Sequence, residues 1–194
     1  MPMTDPKLHL ASQSPRRQDI LRSLGLSFTA AGVNVDEQRL QREHPEAMAL
    51  RLSRAKAAAA DVDPSRIVVG ADTLVVLEDM VFGKPKDCDE CLEMLASLSG
   101  RTHRVLTGVA ILASGEVQTV VSTTAVQFRE ISPDEALAYW HSGEPCDKAG
   151  AYAIQGRGGI FVEAISGSYS GVVGLPVFET SRLLRNAGLR VLTA

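Results

Sequence analysis

The sequence predicts a mixed α/β fold, a central twisted sheet with flanking helices, on three observations. Short apolar runs alternate with segments whose apolar residues recur at helical spacing, as in helices packed around a sheet. One run, Arg66-Ile67-Val68-Val69-Gly70, has no polar alternation and reads as a strand buried on both faces, typical of parallel pairing. Hydrophobic residues make up 45% and charged residues 22% of 194 residues, enough to bury the core of one globular domain spanning 1–194.

The elements follow in order. Leu8 to Ala11 is a short apolar start, read as the first strand. Ser14-Pro15 then supplies an N-cap and a first-turn proline, Ile20, Leu21 and Leu24 share a face, and Gly25 ends the helix. A second helix is predicted from Pro45 to Asp61, with Met48, Leu52, Ala55 and Ala59 at helical spacing. After the 66–70 strand the apolar run resumes at Leu74-Val75-Val76-Leu77, turns at Glu78-Asp79 and returns through Val81-Phe82. Asp87 is read as the cap of a third helix, with Glu90 as its capping-box partner and Leu92, Leu95 and Leu98 facing inward. Val105–Leu112 and Val117–Phe128 read as strands joined around Ser114-Gly115. Ser132-Pro133-Asp134-Glu135 opens another helix, and a last one runs near Val177 to Ala187. Between them, residues 143–174 hold eight of the sixteen glycines, which suits either irregular turns between short strands or a loop wall packed over a ligand.

Composition excludes several classes of function. No apolar run approaches the roughly 18 residues of a membrane span, and Met1-Pro2-Met3-Thr4-Asp5-Pro6 lacks the basic start and apolar stretch of a secretory signal. A net charge of −3 and 5% aromatic residues argue against nucleic acid as the partner. Three cysteines form no disulfide framework and point to reduced thiols and a cytoplasmic setting.

Three patterns could carry chemistry. Arg16 and Arg17 lie in the first turn of a predicted helix, where acidic residues are preferred. A bound anion would offset them, since helix N-termini bind phosphate and arginine adds forked donors; side chains pointing into solvent would fit the same residues. Asp72, in Gly70-Ala71-Asp72-Thr73, follows a buried strand directly, so its desolvation calls for a partner, a metal or a turn. Ligands in open α/β sheets lie beyond the carboxyl ends of the strands. Lys56 sits near the apolar edge of its helix, Lys84 and Lys86 bracket Pro85, and Lys148 follows Asp147. Surface lysines are ordinarily solvated, and Gly83-Lys84-Pro85 is no P-loop, because the Ser or Thr and the upstream glycine are missing. Cys88-Asp89-Glu90-Cys91 has C-x-x-C spacing on an acidic helix and reads as two half-buried small residues. The four histidines show no H-E-x-x-H, and Pro145-Cys146 lacks the second cysteine of a zinc deaminase.

Taken together, the segments resemble the Maf family of nucleoside triphosphate pyrophosphatases. The matching pieces are Leu10-Ala11-Ser12-Gln13-Ser14-Pro15-Arg16-Arg17, Arg54-Ala55-Lys56-Ala57, Gly70-Ala71-Asp72-Thr73 and Gly83-Lys84-Pro85. Leu98-Ser99-Gly100-Arg101-Thr102-His103, then Asp147-Lys148-Ala149-Gly150-Ala151-Tyr152-Ala153-Ile154-Gln155-Gly156, then Val173-Gly174-Leu175-Pro176 complete the set in family order. Ala153 departs from the pattern, standing where the family commonly has glycine.

The resemblance implies an elongated Maf/ITPase-like α/β fold, one domain with two lobes around a ligand cleft. It implies a cytoplasmic homodimer without nucleic-acid or membrane partners. The activity it implies is hydrolysis of a phosphoric anhydride, a nucleoside triphosphate going to monophosphate and pyrophosphate with a divalent cation, magnesium or manganese. Asp72 is then the general base, a metal ligand or both; Lys56 and Lys84 stabilise transition-state charge; Ser14, Arg16, Arg17 and Lys148 contact the substrate. Glu37 is a second candidate metal ligand and reads equally as a loop acid. Arg16, Thr73 and Gln155 match the type that prefers dTTP and UTP. The family's link with septum formation and cell-division arrest leaves an alternative, a nucleotide-binding regulator without turnover, against which the retained acid-plus-lysine set stands.

Overall fold

A computed structural model of the chain describes residues 7–192. The Met1–Pro6 stretch read above for a leader lies outside the described residues. The elements run β1 (Leu8–Leu10), α1 (Pro15–Ser23), β2 (Phe28–Ala30), α2 (Pro45–Ala58), β3 (Ile67–Leu77), β4 (Met80–Phe82), α3 (Cys88–Leu98), β5 (Thr102–Ala113) and β6 (Glu116–Phe128). Then follow α4 (Pro133–His141), three 3-10 turns (Glu144–Asp147, Ala149–Ala151, Arg157–Phe161), β7 (Val162–Ser166), α5 (Tyr169–Val173) and α6 (Val177–Asn186).

One mixed seven-stranded sheet has the order β2-β1-β3-β5-β6-β7, with β4 paired to β3. β1 pairs in parallel with β2 and with β3, Leu8 opposite Phe28 and Ile67. That is the pairing the unbroken apolar run at 66–70 predicts. β3–β4 and β6–β7 are antiparallel, the latter irregular at Gln127/Phe128. The β5–β6 hairpin turns on Ser114 (φ 52) and Gly115 (φ 81), the left-handed pair a two-residue hairpin needs.

Four sequence readings are corrected. β3 does not stop at Gly70 but continues through Asp72 and Thr73 to Leu77, so Asp72 lies inside a strand. A strand can carry a buried carboxylate there because a cation meets it, as described below. α2 ends at Ala58, short of Asp61, because Ala60 and Val62 leave the helix to pack on Ala11, Ala57, Val68 and Ala110. Its buried face is Met48, Ala49, Leu52, Ser53 and Ala57, with Ala59 exposed. At α3, Asp87 accepts from Glu90 N at 2.9 Å, but Glu90 Oε2 accepts from Lys86 N, one residue before the cap, so the reciprocal box is displaced. α4 has the complete box between Ser132 and Glu135.

The chain clusters into two compact units. The first comprises the described residues up to Asp72, Thr107–Val121 and the described residues from Gly174 on; the second is Thr73–Leu106 with Ser122–Val173. In the first unit, α2 lies directly on the sheet backbone. A Cβ at Gly70 would stand 2.3 Å from Ser53 O, and one at Gly108 2.2 Å from Ala49 O. Glycine inside a strand marks such a close approach. The second unit has an aromatic core of Phe82, Phe128, Tyr139, Tyr152 and Phe161 with Val75, Leu95, Leu98 and Val105. His103 is buried there against Phe128 and Tyr152, its Nε2 2.9 Å from Tyr152 OH. No helix among the described residues is long and apolar enough to cross a membrane.

Candidate active site

In the first unit, the helix seated on Gly70 and Gly108 brings Lys56 to β3. Lys56 Nζ donates to Asp72 Oδ1 at 2.5 Å and stands 2.7 Å from Glu37 Oε1. The Lys56 and Asp72 side chains are 12% and 8% exposed, whereas that of Glu37 is 60% exposed. Burial pushes the Asp72 carboxyl above its ordinary range, and the charge and hydrogen bond of Lys56, with the more distant Arg17, oppose that shift. One ammonium thus bridges a buried and an exposed carboxylate. This leaves acceptor capacity for a proton or a cation and a fixed positive charge beside it.

α1 opens as its sequence predicts: Ser14 Oγ accepts from Arg17 N at 3.5 Å, and Pro15 takes the first turn. Arg16 is half-buried in that turn, which contains no acidic residue. Arg17 turns back on the protein. Its Nε donates to Gly174 O at 2.9 Å and its Nη1 to Ser12 Oγ at 3.3 Å. Ser12 Oγ also accepts from Ser14 N at 3.1 Å. The side chain read from sequence as anion-binding is therefore also a strut joining two of the quoted motifs, Leu10–Arg17 and Val173–Pro176. Burial lowers the Arg17 guanidinium from its ordinary value, opposed by the charge of Asp72.

In the second unit, Gly150 N donates to Gly83 O at 2.9 Å, which holds the Lys84 loop against the Lys148 loop. Gly150 has φ +68, and a Cβ there would stand 2.7 Å from Val75 Cγ1, so glycine is required. Lys84 is exposed, and Lys148 forms an ion pair with its neighbour Asp147. Thr73 is half-buried in β3, and Gln155 is exposed on the turn before Gly156.

Sequence reasoning overlooked Glu144. Its carboxylate accepts from Tyr139 OH at 2.7 Å, Arg157 N at 2.9 Å and Gly158 N at 2.9 Å. A Cβ at Gly156 would fall 2.1 Å from Glu144 Oε2. Those bonds hold the Glu144 carboxyl below its usual range although burial pushes the other way. Gly158 thus supplies a backbone donor and Gly156 the clearance for a carboxylate, which fastens the turn that carries Gln155. The spacing of glycines around Arg157 was the available signal; the partner thirteen residues upstream left none. Cys88 is half-buried and Cys91 buried, its thiol pushed up to about 11 by burial, so the C-x-x-C pair reads as packing.

The fold is a mixed α/β fold of the Ham1 kind. The chain is similar to a HAM1 protein from Coxiella burnetii, with a TM-score of 0.50 and 15% identity over 93% of this chain and 98% of that one. More narrowly, the chain belongs to the Maf family: the Maf-like protein model matches residues 7–187. It is 50% identical to a dTTP/UTP pyrophosphatase of Vibrio cholerae over 94% of this chain and 98% of the relative. It is 48% identical to a dTTP/UTP pyrophosphatase of Methylococcus capsulatus, covering 97% and 95%.

Proposed function

We propose that this chain is a nucleoside triphosphate pyrophosphatase that hydrolyses dTTP and UTP to the monophosphate and pyrophosphate. Relatives named for that activity, 48–50% identical over nearly the whole chain, support the reading. The observation that carries the chemistry is the Lys56 ammonium between Asp72 and Glu37.

In the proposed reaction a water attacks the α-phosphorus and pyrophosphate leaves. Asp72 takes the proton from that water, and its raised affinity for protons suits a general base. Lys56 keeps Asp72 oriented and places positive charge where the phosphorane oxygens gain negative charge. Arg16, Arg17 and Ser14 are assigned to the phosphates at the start of α1; Lys84 is assigned to charge developing in the transition state and Lys148 to the substrate.

Magnesium is ordinarily held by one or two carboxylates, with phosphate oxygens and waters filling its shell. Asp72 and Glu37 fit that donor set. Among the described residues no group of three or more His, Cys, Asp or Glu stands ready to hold an ion. When bound, magnesium or manganese neutralises phosphate charge and orients the water. The same reading makes the protein a cytoplasmic homodimer whose partner is a nucleotide rather than a nucleic acid or a membrane.

The decisive experiment incubates the protein with a panel of nucleoside triphosphates and magnesium and assays pyrophosphate. Release from dTTP and UTP ahead of CTP and purine nucleotides is expected. Binding without release would overturn the enzymatic reading in favour of a nucleotide-binding regulator.

A further inference from the structure

Glu37 lies in a long segment, residues 31–44, that contains no helix or strand. Its side chain is 60% exposed. An ion pair that open is too weak to order such a loop against its own chain entropy. Something else must hold Glu37 at Lys56, and the structure supplies it from the same helix.

Arg51 of α2 reaches into the loop with a forked grip. Its Nε donates to Glu43 Oε1 at 2.6 Å, while Nη2 donates to Glu43 Oε2 at 2.8 Å and to Gln38 O at 3.0 Å. The Glu43 side chain is only 8% exposed. It also accepts from Leu40 N at 3.1 Å, and its backbone carbonyl accepts from Arg39 Nε at 2.8 Å. Gln38 N in turn donates to Asp36 Oδ1 at 2.9 Å. The residues on both sides of Glu37 are thereby tied into one knot, and Arg51 ties the knot to the helix that carries Lys56. Only a planar guanidinium can serve both carboxylate oxygens and a carbonyl at once.

We infer that Arg51 and Glu43 are positioning residues, a clasp that sets Glu37 against Lys56 and Asp72. The inference rests on the proposed role of Glu37 in the reaction. The clasp itself stands on the hydrogen bonds alone, so the two fail separately.

The test uses the full-length protein with single variants R51Q, E43Q and E37Q and the double variant E37Q/R51Q. Misplacing a reacting group by about an ångström costs up to about 100-fold. R51Q and E43Q are expected to lower kcat for dTTP about 10-fold or more, with KM changed less. If Arg51 acts through Glu37, adding R51Q to E37Q costs less than about 2-fold, the non-additivity of a shared path. Hydrogen exchange in the absence of nucleotide gives a readout independent of activity. Amides of residues 37–43 should lose protection in R51Q and E43Q, while those of α2 stay protected, which also shows that the variants are folded. Unchanged exchange at 37–43 would overturn the clasp. Full additivity of E37Q and R51Q would overturn the route through Glu37. Wild-type turnover by E37Q would overturn the role of Glu37 in the reaction and leave the exchange data to decide the clasp.

Discussion

Lys56 and Asp72 meet at 2.5 Å across the joint between a helix and a strand, and both side chains are mostly buried. Breaking a buried pair from one side is costlier than removing it from both, because the survivor is left charged and unpartnered. Lys56→Met should therefore destabilise the protein by about 3–5 kcal/mol. The double variant Lys56→Met, Asp72→Asn should recover part of that loss. Urea unfolding of the two single variants and the double variant measures this. A double variant less stable than Lys56→Met would contradict the buried-pair account.

Asp72→Asn alone keeps the shape and removes the base. Turnover of dTTP should fall about 10²- to 10⁴-fold while nucleotide binding, followed by calorimetry, persists. Near-normal pyrophosphate release from this variant would take Asp72 out of the mechanism.

Gln155→Glu tests base reading. Thymine and uracil present an N–H flanked by carbonyls, which one amide can match with an acceptor and a donor. Cytosine reverses part of that pattern and leaves polar groups unpaired. The variant should lose much of its preference for dTTP and UTP over CTP, measured as a ratio of kcat/KM values. An unchanged ratio would leave Gln155 with a structural role only.

Glu144→Ala should release the turn that carries Gln155. It strands the Gly158 N–H and the Tyr139 hydroxyl, each unsatisfied buried group costing about 1–3 kcal/mol. Trypsin provides a local readout, because Arg157 lies in that turn. Cleavage after Arg157 should quicken in the variant relative to sites elsewhere, and equal rates would refute the fastening role.

His103 gives a pH signature of stability. Burial lowers its ring to about 4 from an ordinary 6.5, and it is 1% exposed. Above the ordinary value both folded and unfolded chains are neutral at this site, and its contribution is fully present. As pH falls from 6.5 toward 4, the unfolded chain binds a proton that the folded chain refuses, so about 3 kcal/mol is lost across that window. His103→Gln keeps a partner for Tyr152 without titrating. Its pH–stability curve should be flatter than wild type by that amount, and parallel curves would contradict the assignment.

Much of the frame was legible because local rules agree with the fold. Ser14-Pro15 and Ser132-Pro133 start helices, the run at 66–70 pairs in parallel, and Ser114-Gly115 turns a hairpin. The errors arise where tertiary contacts override local cues. A buried aspartate reads as a strand end until the lysine sixteen residues earlier is known to reach it. Lys56 and Asp72 could be suspected from sequence by burial and charge, and Glu37 by resemblance. Glu144, Glu43 and Arg51 could not, because their meaning lies in hydrogen bonds, to backbone atoms and between the Arg51 and Glu43 side chains, that no residue pattern encodes.

The absence of side chains at Gly70 and Gly108 has a mechanical consequence. In most proteins the gap between helix and sheet is a cushion of side chains, and its thickness drifts whenever the core is repacked. Here main chain rests on main chain at these two points, so the helix has a hard stop, and the reach from Lys56 to Asp72 is gauged from it. Variation in the surrounding apolar residues can then be absorbed without moving the reactive pair. The tolerance is bought at two positions that admit no replacement, not even alanine, although neither carries a functional group.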